Sequence, residues 1–223
     1  MDDWMDVMRS RHSVRQYTAM PISPEDRDAL AAELAHCNAE GGLHLQLVTD
    51  EPDAFGGFMA HYGKFDGVRN YIALVGKKGP DLEEKLGWYG ERLVLLAQRL
   101  GLNSCWVALT FRKGKARVTV APGEKLVAVI ALGHGRTQGQ PRSTRDVKTL
   151  AAWQGEAPAW FLRGMEAAQL APTAMNQQHF RFTLAGAAVR AESTGGFYSR
   201  MDLGIAKYHF TLGAGKENFT WAE

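Results

Sequence analysis

Residues 81–102, DLEEKLGWYGERLVLLAQRLGL, set Leu93, Leu96, Ala97 and Leu100 at helical spacing and end at Gly101. That pattern predicts a long amphipathic helix whose apolar stripe must be buried against another layer of structure. The layer is at hand. NYIALVG (70–76) precedes the helix, and NSCWVAL (103–109) and KLVAVIALG (125–133) follow it. All three are short apolar runs bounded by turn residues, which predicts buried strands with this helix at the centre of the core.

Elsewhere, residues 1–10 read as a short helix carrying Trp4, Val7 and Met8 inward. SPEDRDALAAELAHC (23–37) opens a second helix, with Ser23 as N-cap and Pro24 at the first helical position. LHLQLVT (43–49) predicts a strand, and the glycine- and aromatic-rich stretch DAFGGFMAHYGKF (53–65) a loop long enough to be functional. GRTQGQPRSTRDVK (135–148) is a glycine, proline and arginine loop. Helices and strands in this succession predict a layered α+β or α/β fold.

At 223 residues and 45% hydrophobic content the chain can bury a substantial core. Its 26 basic and 24 acidic residues leave a net charge of +2, which argues against nucleic acid or a membrane surface as the main partner, so any anion site must be local. Cys37 and Cys105 stand far apart without a second pair, which fits a reducing compartment, and a cytoplasmic protein is expected. YIALVG and LVAVIALG are far too short to span a membrane, and MDDWMD lacks the basic start of a signal peptide.

Three stretches carry chemistry. In RSRHSVRQYT (9–18) an extended backbone would put Arg11, Ser13 and Arg15 on one face, with His12 and Val14 on the other. Two guanidinium groups and a hydroxyl suit a phosphate, although by itself the stretch fits a solvated basic patch equally well. The loop arginines Arg136, Arg142 and Arg145 could meet that motif around one phosphate or form a solvated loop. In APTAMNQQHFRF (171–182), Pro172 stops a helix while Thr173, Asn176, Gln177 and Gln178 crowd polar side chains before a strand, a set suited to the edge of a planar heterocycle. The seven histidines show no metal-ligand spacing, and neither a nucleophile elbow nor a phosphate-binding Walker loop occurs. Gly133, Gly135 and Gly139 have the wrong spacing for a dinucleotide loop and read as a turn.

The C-terminal part repeats an earlier layout. LAHCNAEGGLHLQL (34–47) and LAPTAMNQQHFRFTL (170–184) each run from helix end through polar loop to strand. GWYGERLVLLAQ and DLGIAKYHFTLG each predict a closing helix with a glycine near its start.

RHSVR (11–15), GLNSCWV (101–107), VAVIALG (127–133) and APTAMNQQHFRF together resemble the flavin-dependent nitroreductase superfamily, and over nearly the whole chain the pattern is similar to a branch with a tandem half-repeat. The resemblance implies an α+β fold with a central mixed or antiparallel sheet flanked by helices. It also implies bound FMN and ping-pong hydride transfer from NADH or NADPH through flavin N5 to a nitro compound, quinone or similar electrophile, with no catalytic side chain and no metal. A flavin-binding sensor or store is the alternative. By resemblance, Arg11, His12, Ser13 and Arg15 form the flavin motif, with Arg11 and Ser13 toward the phosphate and ribityl chain and Arg15 toward the pyrimidine edge. Backbone N–H groups of Val107, Ala108 and Leu109 would face N5, and Arg142 and Arg145 would add positive charge. Ordinary members carry the polar loop early and offer it to a partner's flavin, but here the early position holds HCNAEGGLH and the motif falls at Pro172, Thr173, Ala174, Met175, Asn176 and Gln178. Residues 1–154 would then be the core half, and 155–223 a half-repeat completing the flavin site. The expected product is a monomeric pseudo-dimer rather than an obligate homodimer.

Overall fold

The computed structural model describes residues 3–222, the side chain of Met59 apart. Along the chain come helices α1 (Trp4–Ser10) and α2 (Pro24–Gly41), strand β1 (Gln46–Val48), helix α3 (Phe58–Tyr62), strand β2 (Asn70–Lys77) and helix α4 (Leu82–Arg99). Strands β3 (Asn103–Val107) and β4 (Glu124–Gly133), helix α5 (Val147–Leu150), strand β5 (Ala151–Ala152) and helix α6 (Ala159–Gln169) follow. Strands β6 (Phe180–Ala185) and β7 (Ala188–Ser193), helix α7 (Ser199–Ala214) and strand β8 (Thr220–Trp221) complete an α+β fold with two four-stranded sheets. No described helix is long and apolar enough to cross a membrane.

Two compact units emerge, and they are interleaved in sequence rather than divided near residue 154. The N-terminal unit comprises Arg11–Leu82 and Arg92–Gln140. The C-terminal unit takes α1, Glu83–Glu91 and the chain from Pro141 onward.

In the N-terminal unit the sheet order is β1-β2-β4-β3, antiparallel throughout, with Ile72 opposite Ile130 and Cys105 opposite Ala131. Strand β2 is buried along all but its last residue, and β4 from Val127 to Gly133. Burial on both faces is why these runs read as continuously apolar instead of alternating. Tyr71, Ala73, Val75, Val129 and Ala131 turn one face into a core with Phe55, Phe65, Phe111, Val14 and Tyr17. Helix α2 starts as its sequence dictates: Ser23 caps it by accepting from the N–H of Asp26 at 3.0 Å, and Pro24 occupies the first turn.

Three expectations need correction. In α1, Met5, Val7 and Met8 are buried and Trp4 is half-exposed, while Met1 and Asp2 lie outside the described residues. The 53–65 loop contains a 3-10 turn (Asp53–Phe55) and α3, because Glu51 accepts from the N–H groups of Asp53 and Ala54 and so starts a helical turn. In α4, Leu93 and Ala97 are buried as expected, but so are Leu86, Val94 and Leu95, and Leu96 and Leu100 are only half-buried. The stripe is wider than its leucine spacing indicates because more than one side of the helix is covered.

The C-terminal unit has sheet order β5-β6-β7-β8, with only the β6–β7 pair antiparallel. Its core is aromatic: Phe182 stacks on Phe210 at 4.9 Å between ring centroids, and Phe161, Phe219 and Trp221 pack edge-on or tilted around them. Of the two stretches that suggested a half-repeat, the first runs helix, strand, helix, strand, helix, strand (α2, β1, α3, β2, α4, β3) and the second helix, strand, strand, helix, strand (α6, β6, β7, α7, β8). The pairings differ, since β8 joins β7 directly in parallel whereas β3 pairs with β4.

The two helical glycines named in that comparison, Gly87 of α4 and Gly204 of α7, lie where these helices touch backbone to backbone. A Cβ on Gly87 would stand 2.1 Å from the carbonyl oxygen of Met201, and one on Gly204 2.0 Å from that of Glu84. Nothing larger than glycine fits there. One turn along α4, Glu91 and His209, both fully buried, bond at 2.8 Å, and the second ring nitrogen of His209 lies 3.1 Å from the carbonyl of Ala167.

Candidate functional site

The opening motif is extended but is not a regular strand. Val14 donates its N–H to Ser104 at 3.0 Å, Tyr17 to Asp66 at 2.9 Å and Thr18 to His134 at 2.8 Å, so successive residues bond to three different neighbours. Without one continuous ladder the two-residue alternation is not enforced, and burial recurs at every third residue: Arg11, Val14 and Tyr17. Arg11, Ser13 and Arg15 therefore do not share one face as expected. Arg11 is 2% exposed, Ser13 is half-buried and Arg15 is exposed, its guanidinium 5.9 Å from the ring centre of Phe65. Ser13 bridges to Ser104, the residue before Cys105 in β3. Burial pushes the Cys105 thiol up, while the charge of Arg15, a hydrogen bond from Ser13 and the charge of Arg11 pull it down. His12 packs against Gly139, where a Cβ would come within 2.6 Å of its own.

Past β3 the chain leaves the sheet. Val107 is buried, Ala108 half-buried and Leu109 exposed, and the N–H groups of Leu109 and Thr110 make no backbone hydrogen bond among the described residues. The loop arginines are dispersed. Arg136 pairs with Asp66 at 2.6 Å. Arg142 donates to the carbonyls of Leu170 (2.6 Å) and Ala171, satisfying the end of α6. The side chain of Arg145 is exposed.

In the polar loop, Pro172 is buried just past α6, and Met175, Asn176 and Gln178 have φ of 49°, 56° and 47°. Three non-glycine residues in the left-handed region within four positions cost roughly 1 kcal/mol or more each and need local compensation. The polar side chains supply it. Thr173 accepts from the N–H of Gln178 (3.1 Å), the Gln178 carbonyl from the N–H of Arg145 (2.7 Å), and the Asn176 amide donates to Ser143 (2.9 Å). Asp202, on the first turn of α7, accepts from the Ala174 N–H at 3.0 and 3.1 Å and from the Gln177 amide at 2.9 Å. Burial pushes the Asp202 carboxyl up to about 6, against the Gln177 and Ala174 hydrogen bonds and the charge of His179. Met175 stands 85% exposed at the tip.

A family model described as Putative TM nitroreductase matches residues 3–214. The chain belongs to this nitroreductase family. Two structures described as putative nitroreductases are similar to it. The one from Thermotoga maritima has a TM-score of 0.67 and 20% identity, covering 97% of this chain and 85% of the other. The other, in complex with FMN and from Desulfovibrio desulfuricans, has a TM-score of 0.54 and 17% identity over 70% and 98%. An enone reductase of gut-bacterial fatty acid saturation aligns at 0.54 with 19% identity over 67% and 96%. These likenesses establish the nitroreductase fold. No curated protein sequence matches the chain.

Two features of this nitroreductase-family chain escape the sequence reading. One is a cavity of about 630 Å³ in the N-terminal unit, lined among others by Tyr17, Phe55, Phe58, His61, Phe65 and Arg69, and by none of Arg11, Ser13 and Arg15. The other is the exposed basic run Arg112, Lys113, Lys115 and Arg117 just after β3. Its signal, four cations within six residues of FRKGKARV, is hidden by a chain total near neutrality.

Proposed function

We propose that the chain is an FMN-dependent oxidoreductase that takes hydride from NADH or NADPH and passes two electrons to a nitro compound, quinone or similar electrophile. The observation that carries this reading is the seating of the opening motif on the start of β3, where Ser13 bridges Ser104 and Val14 donates to the Ser104 carbonyl. Arg11 is 2% exposed and Ser13, two residues on, is half-buried; a cation and a hydroxyl there fit a phosphate, because charge-assisted hydrogen bonds strengthen where water is excluded. Arg11 and Ser13 would hold the phosphate end of FMN. Arg15, exposed and so free to meet a ring edge, would stabilise negative charge developing there. The N–H groups of Leu109 and Thr110 are donors available to the flavin ring. When bound, FMN supplies the hydride chemistry, and the protein supplies position and charge.

The 172–178 loop is proposed as a second flavin-binding element, through its backbone and exposed Met175, since the amides of Asn176 and Gln178 are already engaged. We further propose that the C-terminal half replaces a partner subunit.

The test is the visible spectrum of the purified protein, followed by anaerobic titration with NADH and NADPH and reoxidation by a nitroarene or quinone. A colourless protein to which added FMN does not bind would overturn the proposal. A yellow protein that neither nucleotide reduces would be a flavin-binding sensor or store instead. Sedimentation at low concentration decides the assembly: a monomer holding one FMN supports the internal replacement, and an obligate dimer sinks it.

A further inference from the structure

We propose that the basic run after β3 is the docking site for the 2′-phosphoadenosine end of the electron donor, and that the protein therefore prefers NADPH to NADH. The inference rests on the oxidoreductase reading for its donor, but the site can be tested without turnover.

The argument begins with charge. Arg9, Arg69, Arg92, Arg136 and Arg163 each reach a carboxylate. Arg112, Lys113, Lys115 and Arg117 are all exposed, and none of them pairs with a carboxylate among the described residues. Lys113 Nζ donates to the carbonyl of Leu126 at 3.2 Å, and this bond leaves the ammonium charge unneutralised. Four uncompensated cations in six residues repel one another, and a polyanion relieves that repulsion. In a chain of net charge +2 the cluster is local, so it suits a small phosphorylated ligand better than a nucleic acid backbone.

Beside the cations stand aromatic rings. The N–H of Arg112 donates to Ala54 at 2.8 Å, and its side chain lies over Gly57, where a Cβ would come within 2.7 Å of the Arg112 Cδ. A Cβ on Gly63 would come within 2.8 Å of Thr110 Oγ1. The basic loop is thus laid along the segment that carries α3. Phe58 and Tyr62, next to these glycines and one helical turn apart, are 82% and 75% exposed. Two open rings on one helix face suit stacking of an adenine, and the neighbouring cations suit the phosphate its ribose carries in NADPH. Gly57 and Phe58 also line the 630 Å³ cavity, which offers room for a bound nucleotide beside the patch. NADH has the adenine and lacks the 2′-phosphate, so the basic run acts on the difference between the two donors.

The experiment compares kcat/KM for NADPH and NADH on the FMN-loaded protein, alongside binding of 2′,5′-ADP and 5′-AMP by calorimetry. Lys113→Gln combined with Lys115→Gln leaves the Arg112–Gly57 packing intact. In the wild type NADPH should win by about tenfold, the order expected of charge-assisted phosphate contacts discounted for exposure. The advantage should shrink as salt rises. The double variant should lose most of that preference together with the tighter binding of 2′,5′-ADP. Phe58→Ala should weaken both donors alike. Equal use of NADH and NADPH by the wild type, or 2′,5′-ADP binding no tighter than 5′-AMP, would overturn the proposal. If neither nucleotide reduces the flavin while 2′,5′-ADP still binds through Lys113 and Lys115, the site stands and the oxidoreductase reading falls.

Discussion

Residues 11–17 and 172–178 are both short, polar and extended or turning, and the proposed function gives both a part in holding FMN. They use their polar groups in opposite ways. The first bonds to its surroundings largely through the backbone N–H groups of Val14 and Tyr17, and its one buried hydroxyl, on Tyr17, donates back to the Val14 carbonyl. The second bends through three left-handed residues, and its side chains hold that bend against Ser143, Arg145 and Asp202. A polar side chain is available to a ligand only where the backbone satisfies itself by other means.

The strongest way to break this contrast is at the scaffold beneath the second loop. Gly204→Ala would drive a Cβ to 2.0 Å from the Glu84 carbonyl and separate α7, which carries Asp202, from α4. A loss of about 3 kcal/mol or more is expected in denaturant melts. An unchanged midpoint would mean that the helices do not touch there.

Asp202 offers a pH test of nearly the same size. Its carboxyl is raised from 3.8 to about 6, so the folded state holds the proton more tightly than the unfolded chain. The resulting stabilisation is complete below pH 4 and is lost as pH rises toward 6. The difference amounts to about 3 kcal/mol at most. Stability curves of the wild type and Asp202→Asn should diverge across that window, the wild type falling relative to the variant. Parallel curves would show that Asp202 does not support the loop as described.

Arg11→Ala probes the other region. It should lose FMN on dilution, by about 1.5 to 3 kcal/mol of affinity, read as flavin fluorescence released. Full retention would remove Arg11 from the phosphate. The smallest effect, and the sharpest for the comparison, is Asn176→Ala. Removal of its bond to Ser143 should cost about 1 kcal/mol of stability and change flavin affinity less than Arg11→Ala does. A flavin loss equal to that of Arg11→Ala would show that both regions present their side chains to the ligand.

Much of the fold was legible because its signals are local. Ser23 and Pro24 start α2 through bonds within one turn, and β2 and β4 are apolar along their central residues because both of their faces are covered there. The wider burial of α4 and the half-exposure of Trp4 were not legible, since they depend on which neighbours arrive from elsewhere in the chain. The site divides in the same way. That Arg11, Ser13 and Arg15 make a basic, polar stretch was visible in five residues, but the burial of Arg11 and the exposure of Arg15 were not. Arg142 looked like a phosphate ligand and instead closes the end of α6, bonding to a carbonyl 28 residues away.

The sequence by itself therefore determined the residue types, the helix starts, the buried strands and the presence of two polar segments, because each follows from interactions within a turn or a pleat. Only the tertiary structure decided which polar groups stay available. A hydrogen bond takes whichever partner the fold brings within about 3 Å, and for Arg142, Asn176 and Gln178 that partner lies roughly thirty residues distant, beyond the reach of any local pattern.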